Sequence, residues 1–147
     1  MAKRSPINTL IEIADRETDD AAKRLGQAIR YHEETQSKLN LLIQYRDDYD
    51  SKFQAAAAAG ISASQYGNFL GFLAKLDSAV EGQKEVIRNA ESKVQAAKLD
   101  WQGNEKKRLS YNTLDHRVKM VQQKKDAKSD QKQTDDFAAR AYFYKSE

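Results

Sequence analysis

The sequence predicts an all-α fold: a long antiparallel two-helix coiled-coil hairpin with its turn near residues 59–62. Three observations carry that prediction. The 147 residues contain a single proline, so helices can run far without interruption. Apolar residues recur at alternating spacings of four and three on both sides of one break, and that 3.5-residue period keeps one stripe of a helix facing a partner helix. Finally, only 39% of residues are apolar and 32% are charged. An ordinary compact domain carries roughly 45–50% apolar residues, so a narrow seam suits this chain better than a spherical core. The mean hydropathy of −0.86 agrees.

The first helix is predicted over residues 6–58. Ser5 followed by Pro6 gives an N-cap with proline at the first helical position. The seam then runs Ile7, Ile11, Ala14, Thr18, Ala21, Leu25, Ala28, His32, Thr35, Leu39, Leu42, Arg46, Tyr49 and Phe53, and ten of these 14 positions are apolar. A helix from Pro6 to Ala58 would be about 80 Å long at 1.5 Å per residue.

The turn is predicted over residues 59–62. After five alanines, Gly60 supplies the left-handed position that ends a helix. Ser62-Ala63-Ser64-Gln65 reads as a capping box that starts the next one. A stop and restart within about three residues favours an antiparallel pair.

The second helix is predicted from residue 62 to about 140, making residues 1–147 one coiled-coil domain. Its seam is Tyr66, Phe69, Leu73, Leu76, Val80, Gln83, Ile87, Ala90, Val94, Ala97 and Trp101, with ten of 11 positions apolar. Folding about Gly60 pairs residues whose numbers sum to roughly 118, so that Leu39 meets Val80 and Leu42 meets Leu76. His32 and Thr35 then face Ile87 and Gln83, a polar layer of the kind that fixes register at some cost in stability. Past Trp101 the same register reads Asn104, Arg108, Tyr111, Asp115 and Val118, which is poor. Leu109, Leu114 and Val121 suggest a changed phase after Gly103.

Composition excludes much. Without cysteine there is no disulfide, no thiolate nucleophile and no thiolate metal site. The richest apolar stretch, Phe69 to Ala74, is about six residues, against roughly 18 for a membrane span. The basic residues within Met1–Pro6 are followed by no apolar stretch, so a secretion signal is not expected and a soluble cytoplasmic chain is. His32 and His116, the two histidines, have no second ligand type three or four residues on, and no metal is expected. There is no phosphate-binding glycine loop, and a helix pair offers no enclosed pocket for acid–base work. Neither catalysis nor a cofactor is expected.

Charge is unevenly spread. From Ile7 to Phe53 there are seven Lys/Arg against ten Asp/Glu, whereas Gln102 to Lys132 has nine against four. Opposed signs would help the arms align, although exposed pairs contribute only ~0–1 kcal/mol each. Lys106 to Lys132 also raises the alternative of a nucleic-acid-associated helical protein. Asp115, Asp126 and Asp130 interrupt that run, and the interleaved stacking rings of single-strand binders are absent, so nucleic acid is not the expected partner.

The residues that point to function are surplus apolar ones near the turn. A two-helix seam needs only its two inner positions per heptad, yet Tyr45 and Phe72 sit on one flank and Ile43 and Leu70 on the other. Tyr45 and Phe72 pair by the same sum rule, above Leu42 and Leu76 and beside Tyr49 and Ala79. Two readings stay open: a locally wider core, or a patch for a partner, since a lone hairpin has no third layer to cover the rings. A second surplus is Phe137, Tyr142, Phe143 and Tyr144, either a frayed tail or a docking segment.

Beyond the seam, the chain resembles the FliJ family of the bacterial flagellar type III export apparatus. The likeness is carried by Ala14-Asp-Arg-Glu-Thr-Asp-Asp-Ala-Ala-Lys-Arg-Leu-Gly26, by Leu39-Asn-Leu-Leu-Ile-Gln-Tyr-Arg-Asp-Asp-Tyr49, by Trp101 and Lys106-Lys-Arg-Leu-Ser-Tyr-Asn-Thr-Leu-Asp-His-Arg117, and by Asp130-Gln-Lys-Gln-Thr-Asp-Asp-Phe-Ala-Ala-Arg-Ala141. The resemblance implies an antiparallel coiled coil similar to the gamma stalk of rotary ATP synthases, without enzymatic activity of its own and needed for motility. It implies binding at the centre of the hexameric flagellar export ATPase, where it promotes ring assembly. It further implies contact with the cytoplasmic domain of the export-gate membrane protein and with export chaperones, hence a peripheral association with the inner-membrane export apparatus. Carried onto this sequence, the gate contact falls on Leu42, Tyr45, Tyr49, Phe72, Leu76 and Ala79, bordered by Lys38 and Gln83. The ATPase contact falls on Leu25, Trp101 and Phe137. The equivalent stalk protein of a virulence type III system would share this architecture.

Overall fold

The computed structural model describes residues 5–146. The basic N-terminal residues on which the secretion-signal expectation rests lie largely outside that range. Two helices make up the fold: α1, Pro6–Ala59, and α2, Ala63–Lys145. Among the described residues there is no strand, and no helix is long and apolar enough to cross a membrane.

The helix ends follow from local chemistry. Ser5 caps α1: the amide of Asn8 donates to the Ser5 hydroxyl at 3.4 Å and to its carbonyl at 3.1 Å. α1 closes at Gly60, whose φ of 95° lies in the region open to glycine and strained for a residue with a Cβ. The Gly60 amide donates to the Ala57 carbonyl at 3.3 Å. The capping box then forms as predicted. The Gln65 amide donates to Ser62 Oγ at 3.2 Å, and the Ser62 amide donates back to Gln65 Oε1 at 3.2 Å.

The chain divides into two compact units, and each helix contributes a segment to both. The larger unit, residues 19–102, contains the turn and most of the buried seam. Leu39, Val80 and Ile87 form its core, with Leu42 and Ile43 packed against them. Ala21 and Ala90 are fully buried and Phe53 and Leu76 nearly so. Small alanines at seam positions let helix backbones approach where a leucine would hold them apart. The polar layer lies where the pairing rule puts it. Gln83 Nε2 donates to the Thr35 carbonyl at 3.0 Å, and Thr35 Oγ1 donates to the His32 carbonyl at 2.7 Å. His32 Nε2 is buried without a hydrogen bond, 3.5 Å from a Glu91 carboxylate oxygen.

Cross-helix partners confirm the antiparallel register. Thr35–Gln83 and Tyr49–Phe69 fall on the predicted sum. The ion pairs Arg24–Asp100 at 2.8 Å and Arg46–Asp77 at 3.4 Å run a few residues beyond it, because long side chains reach diagonally. Both place the cation on α1, the reverse of the net-charge contrast between the arms. Short-range geometry, not overall charge, selects these pairs.

The smaller unit comprises residues 1–18 and 103–147, and here the structure corrects the sequence reading. No change of phase follows Gly103. Asn104, Arg108, Tyr111 and Asp115 remain the half-covered positions, while Leu109, Leu114 and Val121 are exposed. The seam continues at its old spacing with polar residues in it. Arg108 shows how: itself half-covered, it holds Glu105 on its own helix through its guanidinium, which lies 4.0 Å from Asp15 on the other. Thr18, which is buried, satisfies its hydroxyl by donating to the Ala14 carbonyl at 2.7 Å. α2 reaches Lys145, some five residues past the predicted end.

Candidate partner-binding site

The candidate site lies in the larger unit, beside the turn. Tyr45, Tyr49 and Phe53 recur every four residues on α1, and Tyr66, Phe69 and Phe72 every three on α2, so each trio follows its own helix stripe. Across the seam the two trios interdigitate. Successive ring centroids are 5.4 Å apart for Tyr66–Phe53, 5.4 Å for Phe53–Phe69, 5.4 Å for Phe69–Tyr49, 4.6 Å for Tyr49–Phe72 and 6.4 Å for Phe72–Tyr45. Every step crosses from one helix to the other. Such pairs contribute about 0.5–1.5 kcal/mol each beyond area burial, so the ladder clamps the turn end of the hairpin.

The ladder is buried in its middle and open at its ends. Phe53 is 7% exposed, Tyr49 and Phe69 are half-buried, and Tyr66 and Tyr45 are 48% and 53% exposed. Phe72, 36% exposed, meets Tyr45 edge-on at 83°. Leu42 is half-buried and Leu76 buried beneath these rings, while Ala79 and Lys38 are exposed. The structure therefore brings Tyr45, Tyr49 and Phe72 into direct contact. It assigns Leu76 to support rather than to surface, and Gln83 to the polar layer.

The other flank carries fixed charges at this level, beside half-buried Ile43 and exposed Leu70. Arg46 donates to Asp47 at 3.2 Å and to Asp77 at 3.4 Å. The hydrogen bond to Asp47 leads in raising the Arg46 pKa above its ordinary value; burial opposes it, and the charges of Asp47 and then Asp77 add to the rise. One side of the hairpin thus offers paired rings and the other an exposed leucine among fixed charges, so a partner finds its aromatic anchors on the ring side alone.

The sequence reading singled out Tyr45 and Phe72 and treated Phe53, Phe69 and Tyr66 only as seam. The matched aromatic spacings on either side of Gly60 were the signal that joins all six. The remaining candidate residues are distributed between the units. Leu25 and Trp101 are half-buried in the larger one. Phe137, in the smaller one, is 74% exposed.

These features define an all-α hairpin protein whose surface chemistry is displayed on an open aromatic flank. A family profile described as "Flagellar FliJ protein" matches residues 3–147. The chain belongs to the flagellar FliJ protein family and is a component of flagellar type III export. Flagellar FliJ proteins from Salmonella typhi and from Escherichia coli (strain K12) are 29% and 28% identical over 147 residues, covering all of each chain. The solved structure of a proposed YscO homolog, CT670, from Chlamydia trachomatis superposes with a TM-score of 0.73 and covers 96% of both chains. At 16% identity that likeness establishes the fold.

Proposed function

We propose that this protein is a non-enzymatic adaptor that joins the hexameric flagellar export ATPase to the export gate and to export chaperones. The gate's cytoplasmic domain is held on the aromatic flank by Tyr45, Tyr49, Phe72 and Ala79, with Leu42 and Leu76 fixing the rings from below. The ATPase is held through Leu25, Trp101 and Phe137, and its ring is assembled around the protein. Membership of the family supports the setting. One observation supports the site: two large rings, stacked edge-on and anchored in a six-ring ladder, stay exposed with no third layer above them. Rigid aromatic anchors lose little side-chain entropy on binding and dominate interface energetics.

Changing Tyr45 and Phe72 together to alanine should weaken binding to the isolated gate domain by at least ~2 kcal/mol, the level of an interface hot spot. Titration calorimetry measures the loss, with helicity by circular dichroism retained. Unchanged affinity would remove the gate from this flank. The ATPase contact is tested separately, by pull-down with the hexameric enzyme and by stimulation of its hydrolysis, both of which should fall in Phe137→Ala.

A further inference from the structure

From His116 to Lys145 every side chain of α2 is exposed, so this stretch has no partner helix among the described residues. Its charges are nevertheless sorted. At about 100° per residue, Arg117, Lys124, Lys125, Lys128 and Lys132 fall within roughly a third of the circumference. None of the five takes part in an ion pair or hydrogen bond among the described residues. Leu114, Val118 and Val121 share that face, and all three are exposed. The acids lie opposite: Asp115, paired with Lys119 at 2.9 Å, Asp126, which accepts from Gln122 at 3.0 Å, and Asp130. The basic face ends at Asp135 and Asp136, and exposed Phe143 returns to it further on.

We propose that this face of α2 lies along an anionic lipid surface. Five unpaired cations, with no acid on their face before Asp135 and Asp136, complement a sheet of headgroup phosphates. The interleaved aliphatic side chains can enter the boundary between headgroups and acyl chains, as amphipathic interfacial helices do. Four of the five cations are lysines, whose apolar stems lie against lipid while the ammonium rises to the headgroups. Phe143 and its neighbouring tyrosines sit at the end of the helix, suited to the membrane–water boundary. A single-stranded nucleic acid would call for stacking rings among the cations, and none occurs between Arg117 and Lys132; a duplex backbone would leave Leu114, Val118 and Val121 uncovered. The stretch includes Phe137, given above to the ATPase contact, so the chain meets lipid when it is not held in the ring, and flotation without the ATPase tests the lipid contact by itself.

The test is flotation of the full-length chain with large vesicles at about 0.15 M salt. One set is phosphatidylcholine alone and the other carries about a third phosphatidylglycerol. The chain should float with the anionic vesicles and not with the neutral ones. The double variant Lys124→Gln/Lys128→Gln should bind about thirtyfold more weakly, since each lysine near the surface accounts for about fivefold. Lys119→Gln, on the opposite face, should bind as the native chain does. Circular dichroism confirms that each variant keeps its helicity. Absence of flotation, equal flotation with neutral vesicles, or an unaffected double variant would overturn the proposal. So would retardation of a short DNA duplex in place of flotation, which would give the face to nucleic acid.

Discussion

Glycines in this chain serve opposite ends. Gly60 occupies φ 95°, and Gly60→Ala should destabilise the hairpin by about 1–2 kcal/mol. Gly67 and Gly71 lie inside α2, where an added Cβ would meet nothing within 4 Å. There glycine only widens the unfolded ensemble, and each alanine replacement should stabilise by roughly 0.5–1 kcal/mol. Urea unfolding followed by circular dichroism separates the two signs. At this scale the sequence was highly legible. Gly60 after its alanine run and the Ser62–Gln65 box both declare themselves in the sequence, because caps and turns are decided by a few adjacent residues. What Arg108 does was half legible: Glu105 stands three residues back on the same helix, whereas Asp15 comes near only when the other helix is laid alongside.

At the level of the helix, register outweighs hydrophobicity. Leu109, Leu114 and Val121 looked like a new seam, yet α2 keeps its old stripe through Asn104, Arg108 and Tyr111. A continuous helix cannot shift its inward face without a kink or an inserted residue, and nothing after Gly103 supplies either. The arginine in that stripe leaves a pH signature. Its hydrogen bond to Glu105 holds that carboxyl below the usual carboxylate range, against a smaller opposing effect of burial. The folded-state pKa is therefore below the unfolded one. The resulting stabilisation is present in full above the unfolded value and is lost as pH falls through the folded value. Thermal melts should accordingly drop on acidification below about pH 4.5, and Glu105→Gln should flatten that drop.

Across the whole molecule, cover is distributed unequally. The larger unit holds Leu39, Val80 and Ile87 in one cluster, whereas beyond Asp115 α2 has no buried side chain. Amide hydrogen exchange should therefore be slowest around those three residues and fastest past Val118, since local opening follows the number of buried apolar contacts. Comparable protection of residues 120–145 would mean that something covers them in solution. Fold class, turn and seam were readable from periodicity because a coiled coil repeats one rule along its length. The candidate site was half readable: Tyr45 and Phe72 stood out as surplus, but the ladder uniting six rings needs the two arms laid side by side.

That ladder also governs how the chain can change length over evolutionary time. Its rings alternate between the arms, like the teeth of a zip. One extra residue in a single arm would turn every later side chain there by about 100°, pulling the following teeth out of mesh. Only compensated insertions, a heptad added to each arm at matching heights, leave the stack closed. Homologues of different length should therefore differ by such paired blocks on the two sides of the bend, or by growth at the free ends.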